Sequence, residues 1–165
     1  MKRVEVNDPF AICQWGALQY DKKDYRSSFE YFTKAAELGD AEAHFMLARL
    51  YHEGEGVEKD FDKEIYHLEE AAIRGHPDAR VGLGVYERRH EKHDRAVKHW
   101  TIAATQGHDS AIKALIAAFK EGWIEKEDLA SALRAHKAAA DATKSPQRKE
   151  AEDFFLSVQN KQKPS

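Results

Sequence analysis

Cysteine occurs once in this chain, at Cys13, so no intramolecular disulfide can form and the fold must rest on packing alone. That lone thiol, together with the polar start Met1-Lys2-Arg3-Val4-Glu5 and its lack of an apolar signal-like run, leads to the expectation of a reducing, intracellular (cytoplasmic) compartment. No apolar stretch approaches the roughly 20 residues that a membrane-spanning helix needs, so no membrane partner is expected. A surplus of one charge sign is also missing. The 26 Lys and Arg stand against 29 Asp and Glu, and a formal net charge of −3 gives no general attraction to nucleic-acid phosphates. Strand-like alternation of apolar and polar residues is absent, which removes sheet-based folds. What remains is 42% hydrophobic and 33% charged residues, enough for one domain of 1–165 with a real core.

What is present is a repeat. Ala35-Ala36 followed by Gly39 recurs as Ala71-Ala72 with Gly75 and as Ala103-Ala104 with Gly107, in steps of 36 and 32 residues. A fourth copy without the glycine stands at Ala139-Ala140. Upstream of each pair a small residue precedes a large apolar one by four, as in Ala11/Trp15, Ala43/Leu47, Ala79/Leu83 and Ala111/Leu115. The unequal steps arise because copy two inserts His52-Glu53-Gly54-Glu55-Gly56-Val57 between its helices and copy four inserts Lys120-Glu121-Gly122-Trp123-Ile124. Each copy reads as helix, turn, helix, since apolar residues recur at three and four. Prolines at Asp8-Pro9, His76-Pro77 and Ser145-Pro146 mark helix starts, where the first turn needs no amide donor. Gly39, Gly75 and Gly107 mark helix ends. The pattern predicts helices near 8–22, 24–38, 41–53, 60–74, 77–90, 92–106, 109–121, 126–142 and 145–160.

The string Ala43-x-x-x-Leu47-Ala48-x-x-Tyr51, Gly54-x-Gly56-Val57-x-x-Asp60, Ala71-Ala72-x-x-Gly75 resembles the SEL-like repeat, a relative of the tetratricopeptide repeat. Copy three resembles it through Leu83-Gly84, Arg95-Ala96, Trp100 and Ala103-Ala104-x-x-Gly107; copies one and four depart further from it. The resemblance implies an all-α, right-handed α-α superhelix, a solenoid of four SEL-like helix-turn-helix repeats plus a C-terminal capping helix. Its segments are an extension at 1–7, repeats at 8–40, 41–76, 77–108 and 109–144, a capping helix at 145–160 and a tail at 161–165. It also implies a scaffold that binds proteins or peptides along a concave face lined by first helices. Trp15, Phe32, Leu47, Tyr51, Leu83, Trp100, Leu115 and Phe119 are expected to fill the layers between repeats.

Residues of the first helices that lie between those packing positions face the groove. They nominate Phe10, Cys13, Tyr20, Phe45, Arg49, His52, Val81, Val85, Arg88, Lys113 and Lys120 as a peptide-binding groove, with apolar groups toward the N-terminal half and cations toward the other. Arg49, Arg88, Lys113 and Lys120 would then receive carboxylates of an extended acidic peptide, with an apolar side chain near Phe10, Phe45 and Val81. Solvated surface charge is the competing reading of the same cations.

Nine histidines invite a metal, chiefly at His90, His93 and His99, but no compact four-ligand set is spelled out and none is expected. His76-Pro77-Asp78 matches the tripeptide by which J-domains engage chaperones, yet Gly75 closing one helix and Pro77 opening the next explain it as a repeat junction. Gly54-Glu55-Gly56 is too short for a dinucleotide loop and carries an acid that repels phosphate. No nucleophile stands in a recognisable setting. We therefore expect a non-catalytic, monomeric protein-interaction scaffold without a cofactor. A structural or designed array with no evolved ligand is the alternative, and an enzyme ranks third.

Overall fold

The computed structural model describes residues 8–161, with side chains described for 8–143. Among the described residues it contains eight helices and no strand: α1 (Pro9–Asp21), α2 (Tyr25–Glu37), α3 (Ala41–Glu53), α4 (Phe61–Ile73), α5 (Pro77–Arg89), α6 (His93–Thr105), α7 (Asp109–Lys120) and α8 (Lys126–Lys161). The first seven fall within one residue of the expected bounds. The last is a correction: the helices expected at 126–142 and 145–160 are one element, which runs through Ser145-Pro146 without a break. A proline inside a helix removes one amide donor and crowds the carbonyl four residues back, yet α8 continues past Pro146, so the dipeptide is a weaker boundary here than the glycines. The expected capping role of 145–160 rests on side chains outside the described residues, as do the extension at 1–7 and the tail beyond residue 161.

Short-range chemistry sets the helix bounds. Asp24, Asp40 and Asp60 each accept a hydrogen bond from the backbone N–H three residues on, at 3.2, 2.7 and 3.0 Å, and Asp8 does so two residues on, at Phe10. His76 performs the same task with an imidazole, its Nδ1 accepting from the Ala79 N–H at 3.3 Å. At the other ends Gly39, Gly75 and Gly107 adopt φ of 90°, 89° and 82°. There the chain reverses with hydrogen bonds such as Asp40 N–H to Ala35 C=O. Copies one and three, which lack the insertion, place Lys23 and Glu91 in the left-handed region between their helices, at φ 62° and 60°. In copy two the insertion supplies Gly54 and Gly56 instead, and a Cβ on Gly56 would lie 2.6 Å from the Tyr25 carbonyl oxygen.

Packing divides the chain into two compact units, the first ending at Trp100 and the second beginning at Thr101. In the first, α1 packs on α2, α2 on α3, α3 on α4 and α4 on α5. The expected layer residues Phe32, Leu47, Tyr51, Leu83 and Trp100 are buried, and so are the alanine pairs 35–36 and 71–72. Within each of the first three copies the first helix offers a small residue to a large one on the second. Gly16 meets the Phe32 ring, Ala48 shares a cluster with Leu68, and Gly84 lies against the Trp100 indole. In the second unit α7 packs on α8, burying Ala111, Leu115, Ala118 and Ala132.

Two layer positions are corrected. Trp15 is 43% exposed and Phe119 is 39% exposed. Leu47 clusters with Phe32 and Ala35 of copy one, and Leu83 with Leu68 and Ala71 of copy two, so this register position is covered by the preceding copy. No helix pair precedes α1 among the described residues, and Trp15 therefore stays open. Phe119 holds the register of Tyr51, which Phe29 covers edge-on at 5.7 Å; no such ring meets Phe119 among the described residues.

Ala72 is 2% exposed in the cluster of Ala48, Leu68, Ala71, Ala79 and Leu83. Ala72→Leu would force extra methylenes into this contact and is expected to cost about 1–3 kcal/mol, read as a lower melting midpoint. An unchanged midpoint would remove the alanine pairs from the packing argument. No helix of the described residues is long and apolar enough to cross a membrane.

Candidate functional site

The nominated groove positions fall on α1, α3, α5 and α7, and the first three belong to one compact unit. Between α1 and α3 lies a cavity of about 260 Å³ lined by Phe10, Cys13, Gln14, Ala17, Phe32, Asp40, Glu42 and Met46. Phe10, 65% exposed, stands at its lip. Cys13 is only 2% exposed and belongs to the core cluster with Phe32 and Met46, so it floors this cavity rather than presenting itself to a partner. Burial first, and the Asp40 carboxylate second, push the Cys13 thiol up to about 12. It is therefore a protonated, packing thiol at neutral pH, poorly suited to nucleophilic work.

Farther along α1 and α3, the Tyr20 hydroxyl sits between opposite charges. It accepts from Arg49 at 3.1 Å and has the carboxylates of Glu55 and Glu53 at 3.2 and 3.3 Å as acceptors for its one proton. The Arg49 guanidinium also lies 5.2 Å from the Tyr20 ring centre and 4.0 Å from the Glu53 carboxylate. Burial, with Glu53 and Glu55 added, pushes the Tyr20 phenol up to about 12 against the opposing Arg49 charge. Arg49 is thus a partly neutralised cation. This pairing was missed in the sequence because 29 residues separate Tyr20 from Arg49, and only the stacking of α1 on α3 brings them together.

On the neighbouring helices Phe45 stacks on the His76 imidazole with ring centres 4.5 Å apart. His76 Nε2 reaches the Glu42 carboxylate at 3.0 Å, and this hydrogen bond lowers the Glu42 pKa despite burial. The His76-Pro77-Asp78 tripeptide is thereby accounted for as a helix start, His76 capping α5 through its other ring nitrogen. His52 is exposed and pairs with Glu64 at 3.0 Å. Val81 is half-buried, Val85 is 37% exposed, and Arg88 is exposed with no ion pair among the described residues. In the second unit Lys113 and Lys120 are exposed on α7, likewise without an ion pair among the described residues. Asp40 and Glu42 place acids beside the apolar cavity.

Among the described residues no group of three or more His, Cys, Asp and Glu converges as a metal cage. His90, one of the histidines weighed for a metal, instead packs its ring 4.2 Å from that of Tyr86 and bonds the Tyr86 carbonyl oxygen.

Comparison with known proteins gives the same architecture. The solved Sel1 repeat protein from Oxalobacter formigenes matches with a TM-score of 0.70 at 26% identity, covering 86% of this chain and 61% of that one. A protective antigen of uropathogenic Escherichia coli strains that displays an SLR fold also matches at a TM-score of 0.70 and 26% identity, over 80% of this chain and 31% of its own. Chitin synthase regulatory factor 4 of Schizosaccharomyces pombe is 31% identical over 91 residues, 54% of this chain. HcpC of Helicobacter pylori, which carries a provisional beta-lactamase name, is 40% identical over 52 residues, 32% of this chain. The chain spans only 14% and 18% of these two relatives, so neither name transfers an activity. The family model for the Sel1 repeat matches residues 11–40, 41–76 and 77–108, the first three copies and more than half of the sequence. Its helix pairs, alanine-glycine helix ends and solved neighbours agree, and the chain belongs to the Sel1 repeat family.

Proposed function

We propose that this chain is a non-catalytic interaction module that takes an extended segment of a partner protein on the α1–α3–α5 face. The observation that carries the reading is the 260 Å³ cavity between α1 and α3, apolar at Phe10, Ala17, Phe32 and Met46; Arg88 of α5 holds the repeat register that Tyr20 holds on α1. Sel1-repeat proteins generally mediate protein–protein interactions, which supports the class of function. An apolar side chain of the partner enters the cavity, and a carboxylate farther along the segment meets Arg88, bidentately where the fork of the guanidinium is matched. Arg49 contributes less than Arg88, because Glu53 and Tyr20 already hold it. Lys113 and Lys120 receive carboxylates in the second unit in the same way. The chain acts in this reading as a monomer in a reducing, cytoplasmic setting, with neither nucleic-acid nor membrane partners.

Binding of about micromolar strength, some −8 kcal/mol, suits a short segment with one apolar anchor and few ionic contacts. The test is affinity capture with the wild-type chain and with Arg88→Glu and Arg49→Glu, singly and together, followed by titration of the captured partner. The expected result is at least about tenfold weaker binding for Arg88→Glu, a smaller loss for Arg49→Glu, and a salt dependence reduced in both. A partner whose affinity the double variant leaves unchanged would refute the groove assignment.

A further inference from the structure

A second cavity lies on the side of the first unit where α2, α3 and α4 meet, with a volume of about 390 Å³. His44 and His67 both line it, and their Nδ1 atoms are 3.0 Å apart. The two residues come from different helices and stand 23 positions apart, which is why no motif announces them. We propose that His44 and His67 bind a borderline divalent transition-metal ion, with the two Nδ1 atoms as adjacent ligands and water in the remaining positions.

The spacing is the first argument. With metal–nitrogen bonds of about 2.0–2.1 Å, adjacent ligands in square-planar or tetrahedral geometry stand about 2.8–3.4 Å apart, and the pair already falls in that range. The second is that both rings are oriented. The His44 imidazole is held by burial, only 6% exposed, with its ring centre 5.3 Å from that of His67. His67 is stacked on Tyr51 at 12° and met edge-on by Tyr66. The third is protonation. Burial first, then the neighbouring His44, lowers the His67 pKa to about 4, and burial followed by Arg74 lowers that of His44, so both rings are neutral ligands at pH 7.

The surrounding charges nearly balance. Glu70 faces both rings and Asp40 acts on His44, favouring a cation, while Arg74 and Lys63 oppose it. Glu37 also lines the cavity. Glu70 is itself held by Arg74, which leaves water as the remaining ligand. Two imidazoles select by the usual order of divalent ions, so Cu2+ binds more tightly than Ni2+ or Zn2+.

The experiment titrates the full chain with Cu2+ against a weak chelator, following stoichiometry by calorimetry and the number of coordinated nitrogens by electron paramagnetic resonance. One equivalent with two ring nitrogens is expected, at least about tenfold tighter than Zn2+. His67→Gln, which leaves the better-buried His44 in place, and His44→Gln should each weaken binding at least tenfold. A His90→Gln/His93→Gln variant should bind as the parent does. Because His44→Gln carries a risk to folding, His67→Gln is checked by circular dichroism, and the parent's metal-induced rise in melting midpoint must vanish in it and reverse with EDTA. Unchanged Cu2+ affinity in folded His67→Gln, or a spectrum without two ring nitrogens, would overturn the site and leave the pair as a packing hydrogen bond.

Discussion

Gly84→Ala should lower the stability of the chain by about 3 kcal/mol, at the upper end of what overpacking costs. A Cβ at this position would overlap the pyrrole side of the Trp100 indole, and neither partner has room to retreat, since Gly84 is buried, its neighbour Leu83 is 4% exposed and Trp100 is 1% exposed. The same contact in copy two is made by Ala48 and Leu68, which share one cluster. That suggests the compensation: Gly84→Ala/Trp100→Leu imports the copy-two pair into copy three. The double variant should be more stable than the sum of its single changes, with a coupling of about 1–2 kcal/mol in a double-mutant cycle by urea unfolding. Additive losses would show that the glycine is not there to admit the indole.

The second large effect is electrostatic. Glu87 occupies the register position that Tyr51 fills in copy two, and it is buried to 4% exposure with its carboxylate 2.7 Å from Arg95 and 3.8 Å from Lys92. Arg95→Ala would leave this carboxylate buried with only the more distant ammonium, and is expected to cost about 2–3 kcal/mol. That is below the full figure for breaking a buried pair because Arg95 itself is partly solvated. Glu87→Met/Arg95→Ala removes both charges and restores an apolar group, so most of the loss should return. Chemical denaturation of the three chains decides it: a loss under about 0.5 kcal/mol for Arg95→Ala would reduce the pair to an ordinary surface contact.

Much of this was legible in one dimension. Helix bounds came within a residue for seven helices because they are written by neighbours: aspartates at 8, 24, 40 and 60 that cap three residues ahead or fewer, and glycines at 39, 75 and 107 that take left-handed φ. The repeat register likewise identified Phe32, Leu47, Leu83, Trp100 and Leu115 as core, since a helical period of 3.6 fixes which residues share a face. Pro146 misled because its signal is permissive rather than obligatory, and α8 continues past it.

The sequence by itself determined the helical repeat, its register and the family, all of which depend on local propensity and on spacing that each copy states again. Tertiary structure alone decided which of those registered positions meet a neighbour. It left Trp15 open, no helix pair preceding α1 among the described residues, sank Cys13 into the floor of the α1–α3 cavity, and tied Arg49 to Tyr20. It also set His44 against His67. These outcomes depend on side chains 23 to 33 residues apart, brought within hydrogen-bond reach by helix stacking, a distance at which charge and burial are properties of the packed layers and no longer of the residues that enter them.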